Sequence, residues 1–172
     1  MKKLSLILFV IISSNSFGQT EYDKLVEEGL QLLIQQNIPA AILKYDQAFK
    51  IDTTKVEANY GLGVAYLYDC QSKGANCFIA LSYLNTAIKI DNTYRNGYFN
   101  RGRCYTLLKD YKNAIKDLSL AIKKTPNDAD YYIMRGLSYV RIGDKKNACQ
   151  DLKKAAELNP NSKELLISEG CN

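Results

Sequence analysis

The sequence predicts an all-α fold of four helix-turn-helix units, closed by a short C-terminal capping helix. Three observations predict it. Apolar and small residues recur at steps of three and four, glycines and alanines recur at a period of 34 residues, and turn residues separate the runs. Steps of three and four place side chains on one face of an α-helix. Repetition at a fixed period of this length is typical of stacked-repeat proteins.

The stretch 95–128 shows one unit most clearly. Two runs at helical spacing occupy it, namely Tyr98, Gly102, Tyr105 and Leu108, followed by Tyr111, Ala114, Leu118 and Ala121. Pro126 closes the second run, because the residue before a proline is displaced from helical geometry. The stretch therefore predicts two short amphipathic helices joined by a turn.

Series of small residues give the number of units. The glycines are Gly29, Gly63, Gly102 and Gly136, and the alanines that open each second helix are Ala41, Ala80, Ala114 and Ala148. Successive members are 34 residues apart except for one step of 39, so five extra residues lie between Gly63 and Ala80. Small residues at these points let neighbouring helices approach closely. We expect repeats at 22–55, 56–94, 95–128 and 129–162.

The order of residue types at these offsets resembles the tetratricopeptide repeat, in which a bulky residue, Gly, Tyr, Ala, an aromatic residue or Leu, Ala and Pro follow one another. The resemblance covers nearly all of 19–172 and implies a right-handed α-solenoid with the first helix of each unit on the concave face. The first two units depart from the pattern, with Thr53 and Asn92 in place of the closing proline. Asn59 also stands where the family often has a bulky aromatic residue.

The segment 1–18 is predicted to be a cleavable signal peptide. Lys2 and Lys3 precede an apolar run at 4–12, and a small polar region follows and ends at Gly18, after which we expect cleavage. A run of nine residues is shorter than the roughly 20 that span a bilayer, so retention as a membrane anchor is the lesser alternative. The protein is then expected in the periplasm or outside the cell, with no membrane span after cleavage.

Composition argues against two classes of function. Loss of Lys2 and Lys3 leaves 21 basic against 18 acidic residues, and these are scattered along helix faces, so nucleic-acid binding is not expected. The chain has no histidine, nucleophile elbow, phosphate-binding glycine loop or CxxC motif. We therefore predict no enzyme, no cofactor and no metal site, with a hydrolase as the minor alternative.

The cysteines at 70 and 77 bound the interruption of the second unit, which we predict to be a loop over 69–77. In an oxidising compartment, cysteines at the two ends of such a loop are disulfide candidates. A metal or redox site is the alternative, and a chain without histidine disfavours zinc. We predict a Cys70–Cys77 disulfide, and we expect Cys104 to be an inert core thiol.

A last helix is predicted over 161–170, with Asn161 as its N-cap. If this helix runs antiparallel to its predecessor, it returns Cys171 to the level of Cys149, and a second disulfide follows. The alternative is that Cys171 is a free thiol able to pair between chains.

In the last two units an Arg precedes the Gly and an Asp follows 16 residues after the Arg, which predicts ion pairs Arg101–Asp117 and Arg135–Asp151.

The resemblance also implies where a partner binds, because the family's ligand residues lie on the first helix of each unit. Here Asn100 alone matches a carboxylate clamp, since Val26, Leu30 and Gly61 stand at other clamp positions. An apolar peptide, extended or helical and held partly by Arg103, is expected instead. The predicted partner-binding residues are Val26, Leu30, Tyr60, Val64, Leu67, Phe99, Asn100, Arg103, Ile133 and Leu137.

These positions predict a non-enzymatic scaffold that binds a protein or peptide. Two alternatives stay open. In the first, the side chains fill their own concavity or pack on the N-terminal tail. In the second, the protein is a self-assembling structural subunit of an envelope complex that uses the apolar groove or an open end of the stack as the interface between copies. The sequence gives no oligomeric state.

Overall fold

The structure is a computed structural model that describes residues 19–94 and 96–171. The predicted signal peptide and its cleavage site lie outside the described residues. Within the described part of the chain there are nine α-helices, one 3-10 turn and no strand. The helices are α1 Glu21–Ile34, α2 Ile38–Ile51, α3 Val56–Lys73, α4 Cys77–Ile90, α5 Gly97–Leu107, α6 Tyr111–Lys124, α7 Ala129–Arg141, α8 Lys145–Leu158 and α9 Lys163–Ser168, with the 3-10 turn at Pro160–Ser162.

The helices form four hairpins that stack in chain order. Helices α1 and α2, α3 and α4, α5 and α6, and α7 and α8 pack as pairs, and the second helix of each pair packs on the first helix of the next. The first helices also contact one another, α1 with α3, α3 with α5 and α5 with α7. The predicted right-handed α-solenoid with a C-terminal capping helix is confirmed.

Polar side chains mark the helix starts at repeat-related places. Asn37, Asp110 and Asp144 precede the second helices of units one, three and four, and each side chain accepts a hydrogen bond from a backbone N–H in the first turn. Thr20 and Asp23 form a reciprocal capping box at the start of α1. Such caps pair backbone donors that have no partner inside the helix.

The repeated glycines lie where the two helices of a unit cross. A Cβ atom on Gly63 would lie 2.7 Å from Cγ of Leu84, and one on Gly102 would lie 3.0 Å from Cγ of Leu118. Contacts that short do not leave room for a larger side chain. The glycine series therefore records close helix packing, as the spacing predicts.

The predicted loop over 69–77 is wrong for most of its length, because α3 continues to Lys73 and a short turn follows. Gly74 ends the helix with φ at 69°. The buried Asp69 carboxylate holds the turn, since it accepts a 2.6 Å hydrogen bond from Asn76 and lies 2.7 Å from the Lys73 ammonium. The extra residues thus lengthen a helix.

The first disulfide closes this turn. Cys70 and Cys77 are bonded, with their Cα atoms 5.0 Å apart, and join the last turn of α3 to the first residue of α4. The predicted pairing is confirmed.

The end of the chain differs from the predicted helix over 161–170. A 3-10 turn comes first, and the Asn159 side chain accepts a 3.1 Å hydrogen bond from the backbone N–H of Asn161. Asn161 therefore lies inside the turn and is not the N-cap of α9, so that part of the prediction is wrong. The second disulfide joins Cys149 to Cys171, with Cα atoms 5.1 Å apart, as predicted.

Asn59 holds the end of the first unit through its side-chain amide. It is 1% exposed, and its amide donates hydrogen bonds to the carbonyls of Thr53, at 3.0 Å, and Lys55, at 2.8 Å. In the fourth unit the Tyr132 hydroxyl donates to the carbonyl of Pro126, at 3.0 Å. Both side chains pair the carbonyl six residues before them, so a small amide and a phenol perform the same task.

The predicted ion pairs are present and extend further than the sequence indicates. Arg101 donates two hydrogen bonds to Asp117, at 2.6 and 2.8 Å, and a third at 2.9 Å to Asn85 of the preceding α4. Arg135 repeats the pattern with Asp151, at 2.7 Å twice, and with Ser119 of α6 at 2.9 Å. Each arginine therefore joins the two helices of its own unit to the unit before it.

Candidate partner-binding site

The predicted partner-binding residues lie on the four first helices, which line one side of the stack. Most of them keep part of their surface exposed: Val26, Leu30, Tyr60, Phe99, Arg103, Ile133 and Leu137 are half-buried. Val64 is 9% exposed and Asn100 is 6% exposed. The surface is therefore apolar and partly open.

Leu67 does not belong to this surface. It is fully buried, in a core cluster with Ala80 and Leu84 of α4 and Cys104 of α5. The prediction that Leu67 touches a partner is wrong, because α4 and α5 both pack on α3 at its level and cover the side chain.

A pocket of about 230 Å3 lies between α1 and α3. It contains four of the predicted residues, Val26, Leu30, Tyr60 and Val64. The rest of its lining is Leu33, Ile34, Tyr45, Glu57, Gly61, Tyr68 and Tyr94. Phe99, Asn100, Arg103, Ile133 and Leu137 lie outside it, so the structure gathers only part of the predicted set in one place.

Tyrosine rings give the pocket its shape. Tyr60 and Tyr94 meet edge to face, with ring centroids 5.2 Å apart and planes at 73°. The buried ring of Tyr45 lies under Gly61, where an added Cβ atom would overlap it. The floor and one wall are therefore aromatic, with α1 supplying aliphatic side chains opposite.

One carboxylate stands at the pocket. Glu57 accepts a hydrogen bond from the Tyr22 hydroxyl at 3.3 Å, and the same hydroxyl accepts one from the backbone N–H of Ala58 at 3.1 Å. Burial, together with the negative charge of Glu57, raises the pKa of Tyr22. The Tyr22 phenol therefore stays protonated and serves Glu57 as a hydrogen-bond donor.

A polar chain continues the surface onto α5. The buried amide of Asn100 donates a 2.8 Å hydrogen bond to the Tyr60 hydroxyl. The Arg103 guanidinium donates to Asn100 at 3.3 Å and to Gln71 at 3.0 Å, and it lies 5.8 Å from the ring centroid of Phe99. These contacts hold Arg103 on the side of the stack that the four first helices line, which we call the inner wall, as predicted.

Residues near the lengthened end of α3 escaped sequence reasoning. Leu33, Ile34 and Tyr68 line both the pocket and a larger open groove of about 730 Å3 beside the α1–α2 turn. Ile34 is 67% exposed and Tyr68 is 40% exposed. The sequence signal that would have predicted these residues is an apolar side chain at the end of a helix, outside the row of residues that faces the core.

Three other properties of residues 19–94 and 96–171 bear on function, namely metal binding, membrane spanning and thiol reactivity. These residues hold no cluster of three or more His, Cys, Asp or Glu side chains that suits a metal ion. None of the described helices has the length and apolar character needed to cross a bilayer. Cys104 is a buried free thiol, as predicted, and burial raises its pKa to about 12.

Family models of the tetratricopeptide repeat match residues 96–128 and 129–162. No curated protein matches the sequence. Many solved structures share the fold. A crystal structure of MamA protein has a TM-score of 0.72 at 22% identity, over 88% of this chain and 84% of that chain. Another MamA structure gives 0.70 at 23% identity, over 83% and 85%. The structure titled APC/C hetero-tetramer Cut9-Hcn1 gives 0.77 at 20% identity, over 86% of this chain and 30% of that chain.

Proposed function

Because the chain is a tetratricopeptide-repeat protein, we propose that it is a non-enzymatic scaffold that binds a protein partner along its inner wall. The repeats support a protein-interaction scaffold, and the partly open apolar inner wall supports an extended or helical peptide segment as the part that is held. The solenoid supplies a rigid surface, and the function lies in the side chains of the first helices.

The pocket between α1 and α3 carries this proposal. Val26 and Leu30 keep part of their surface open to water at the pocket, and Val26 also packs against the core between the first two units. A concave apolar surface with a few placed polar groups is the usual form of a binding site. A partner that covers it removes apolar area from water, which favours binding.

The disulfides support an exported protein. Disulfide bonds form and persist in the periplasm and outside the cell, and they are rare in a reducing cytosol. The structure pairs four of the five cysteines, two of them within one unit and two between α8 and the C-terminal end. We therefore propose that the protein works in the periplasm or outside the cell.

Substitutions on the inner wall test the binding proposal. Tyr60→Glu and Phe99→Glu place a charge on the wall, and each is expected to abolish capture of the partner from native envelope extract. Phe78→Glu is the matched control, because Phe78 is 75% exposed on α4 and does not line the pocket between α1 and α3. Circular dichroism verifies that each variant is folded. Capture that survives both inner-wall substitutions would move the binding site elsewhere.

Self-assembly is the second candidate function, and one observation favours it. Large apolar side chains are exposed on second helices, among them Leu43 at 55%, Ile51 at 54% and Phe78 at 75%. Such residues are potential contacts between copies. Light scattering over a range of protein concentrations separates the two candidates, since a mass that stays monomeric at every concentration excludes self-assembly.

A further inference from the structure

We propose that the pocket between α1 and α3 accepts a basic side chain of the partner, an arginine or a lysine. Its charge would lie at Glu57 and its aliphatic stem against the apolar lining. This inference rests on the proposed function, because the basic residue belongs to the segment that the inner wall holds.

The charge of the pocket points to a cation. Among the described residues that line it, Glu57 is the charged one. Glu57 is half-buried, its hydrogen-bond donor is a neutral phenol, and it takes part in none of the ion pairs found in the described chain. The neighbouring Lys55 ammonium lies over the Tyr22 ring, 4.2 Å from its centroid. A carboxylate without a cationic partner favours a positive charge brought by a ligand.

The aromatic lining favours the same ligand. The rings of Tyr60 and Tyr94 stand nearly perpendicular in the lining, whereas the Tyr68 ring already faces the Arg103 guanidinium, 5.5 Å from its centroid. Cations are attracted to the faces of aromatic rings, and arginine uses such faces more often than lysine does. Val26, Leu30 and Val64 supply aliphatic surface for the stem. Long basic side chains bury their methylene groups in this way while the charged end stays near water.

The size of the pocket suits a single side chain. Its volume of about 230 Å3 is below the roughly 300–1,000 Å3 of pockets for drug-sized ligands. An apolar side chain would displace water from Glu57 without replacing its hydrogen bonds, and an acidic one would be repelled. A basic side chain satisfies both the carboxylate and the apolar lining.

Single capped amino acids test the pocket directly. The probes are the Nα-acetyl methylamides of arginine and lysine, with those of citrulline and norleucine as their uncharged counterparts. Each is titrated into the protein with both disulfides formed, and NMR follows the methyl groups of Val26, Leu30 and Val64. We expect the basic probes to bind about three- to tenfold more tightly than their counterparts, as for one half-buried ion pair. The ratio of arginine to lysine affinity tells which basic residue is preferred.

Two variants assign the preference to the carboxylate. Glu57→Gln is expected to remove the three- to tenfold difference. Glu27→Gln, the control, deletes the same charge from a neighbouring exposed residue that hydrogen-bonds Gln31, and it is expected to keep the difference. Equal binding of charged and uncharged probes, a preference that survives Glu57→Gln, or no shift with any probe would each overturn the inference.

The experiments distinguish a failure of this inference from a failure of the proposed function. If capture is lost in Tyr60→Glu and Phe99→Glu but the probes show no basic preference, the inner wall binds a partner and only this inference fails. If the probes behave as expected while capture survives those substitutions, the pocket binds a cation but the inner wall is not the partner's site.

Discussion

Replacing Asp117 with alanine is expected to lower the free energy of unfolding by about 3 kcal/mol. Asp117 is 2% exposed and accepts hydrogen bonds of 2.6 and 2.8 Å from Arg101. Removing one partner of a buried ion pair costs about 3–5 kcal/mol, because the remaining charge loses its partner in a poorly solvated place. The Arg101 side chain is 19% exposed and keeps its bond to Asn85, so the loss lies at the lower end.

Urea unfolding followed by far-UV circular dichroism measures this loss. The control is Glu157→Ala, which removes the partner of Lys154 from an ion pair whose side chains are 45% and 66% exposed. Exposed pairs contribute about 0–1 kcal/mol, so this variant is expected to be nearly as stable as the parent. If Asp117→Ala and Glu157→Ala lose the same small amount, the reasoning from burial is refuted.

A double substitution separates the unpaired charge from lost packing. Arg101→Met with Asp117→Leu leaves no charge behind, and we expect it to recover most of the stability that Asp117→Ala loses. The second unit already uses an apolar pair at the same place, Leu62 and Tyr83. A double variant no more stable than Asp117→Ala would show that the ion pair stabilises by its own attraction.

Three further predictions follow from the packing. Serine at both Cys149 and Cys171 removes a cross-link between residues 22 positions apart, and urea unfolding is expected to show a loss of about 3 kcal/mol; an unchanged midpoint would contradict it. Gly63→Ala places a Cβ atom 2.7 Å from Cγ of Leu84, so calorimetry is expected to show about 1–3 kcal/mol of destabilisation, and equal stability would mean that the leucine moves freely. Because its pKa is raised to about 12, the Cys104 thiol stays protonated at pH 8, and labelling by a thiol reagent is expected only after unfolding; rapid labelling of the native protein would disprove burial.

The repeat pattern was predictable because its residues contact one another within a single unit. Gly102 faces Leu118 and Gly136 faces Leu152, and in each unit the glycine meets the residue four positions after the opening alanine. Those contacts depend on spacing alone, and spacing is visible in the sequence. The disulfides were predictable for a related reason, since antiparallel helices bring residues at facing ends together.

The helix extension was less visible. No Gly or Pro stands before Gly74 in the interruption, so the chain there is able to continue as a helix. The interaction that places the turn, from Asn76 to the buried Asp69, joins residues seven positions apart and forms only in the folded hairpin. The helix and loop propensities of neighbouring residues do not include such a contact.

The candidate site was predictable only in part, because each unit has different neighbours. The family pattern places Leu67 among the partner-binding residues, yet α4 and α5 bury it. The hydrogen bond from Asn100 to Tyr60 spans 40 residues, and Tyr94 enters the pocket from the connection between units. A one-dimensional pattern does not contain these distances.

One position shows how the units differ beneath the same fold. Where the third and fourth units pair Arg with Asp, the first pairs Glu28 with Lys44 at 2.6 Å, with both side chains about one third exposed. The second unit has Leu62 and Tyr83 there, and Tyr83 meets the Phe49 ring of the first unit at 5.7 Å. Water is available to the pair in the terminal unit, whereas the second unit replaces charge with aromatic contact.

The change from charged pairs to aromatic contacts coincides with the position of the pocket between α1 and α3. The arginines of the third and fourth units fill the space between helices with directional hydrogen bonds. The first and second units contact each other through aromatic rings. The Tyr45 ring reaches the inner wall because Gly61 has no side chain in its way. Any larger residue at 61 would have to displace that ring, which is 4% exposed and forms the pocket floor. The binding surface therefore depends on a missing side chain in the second unit, and the neighbouring Glu57 and Tyr60 give that space its chemistry.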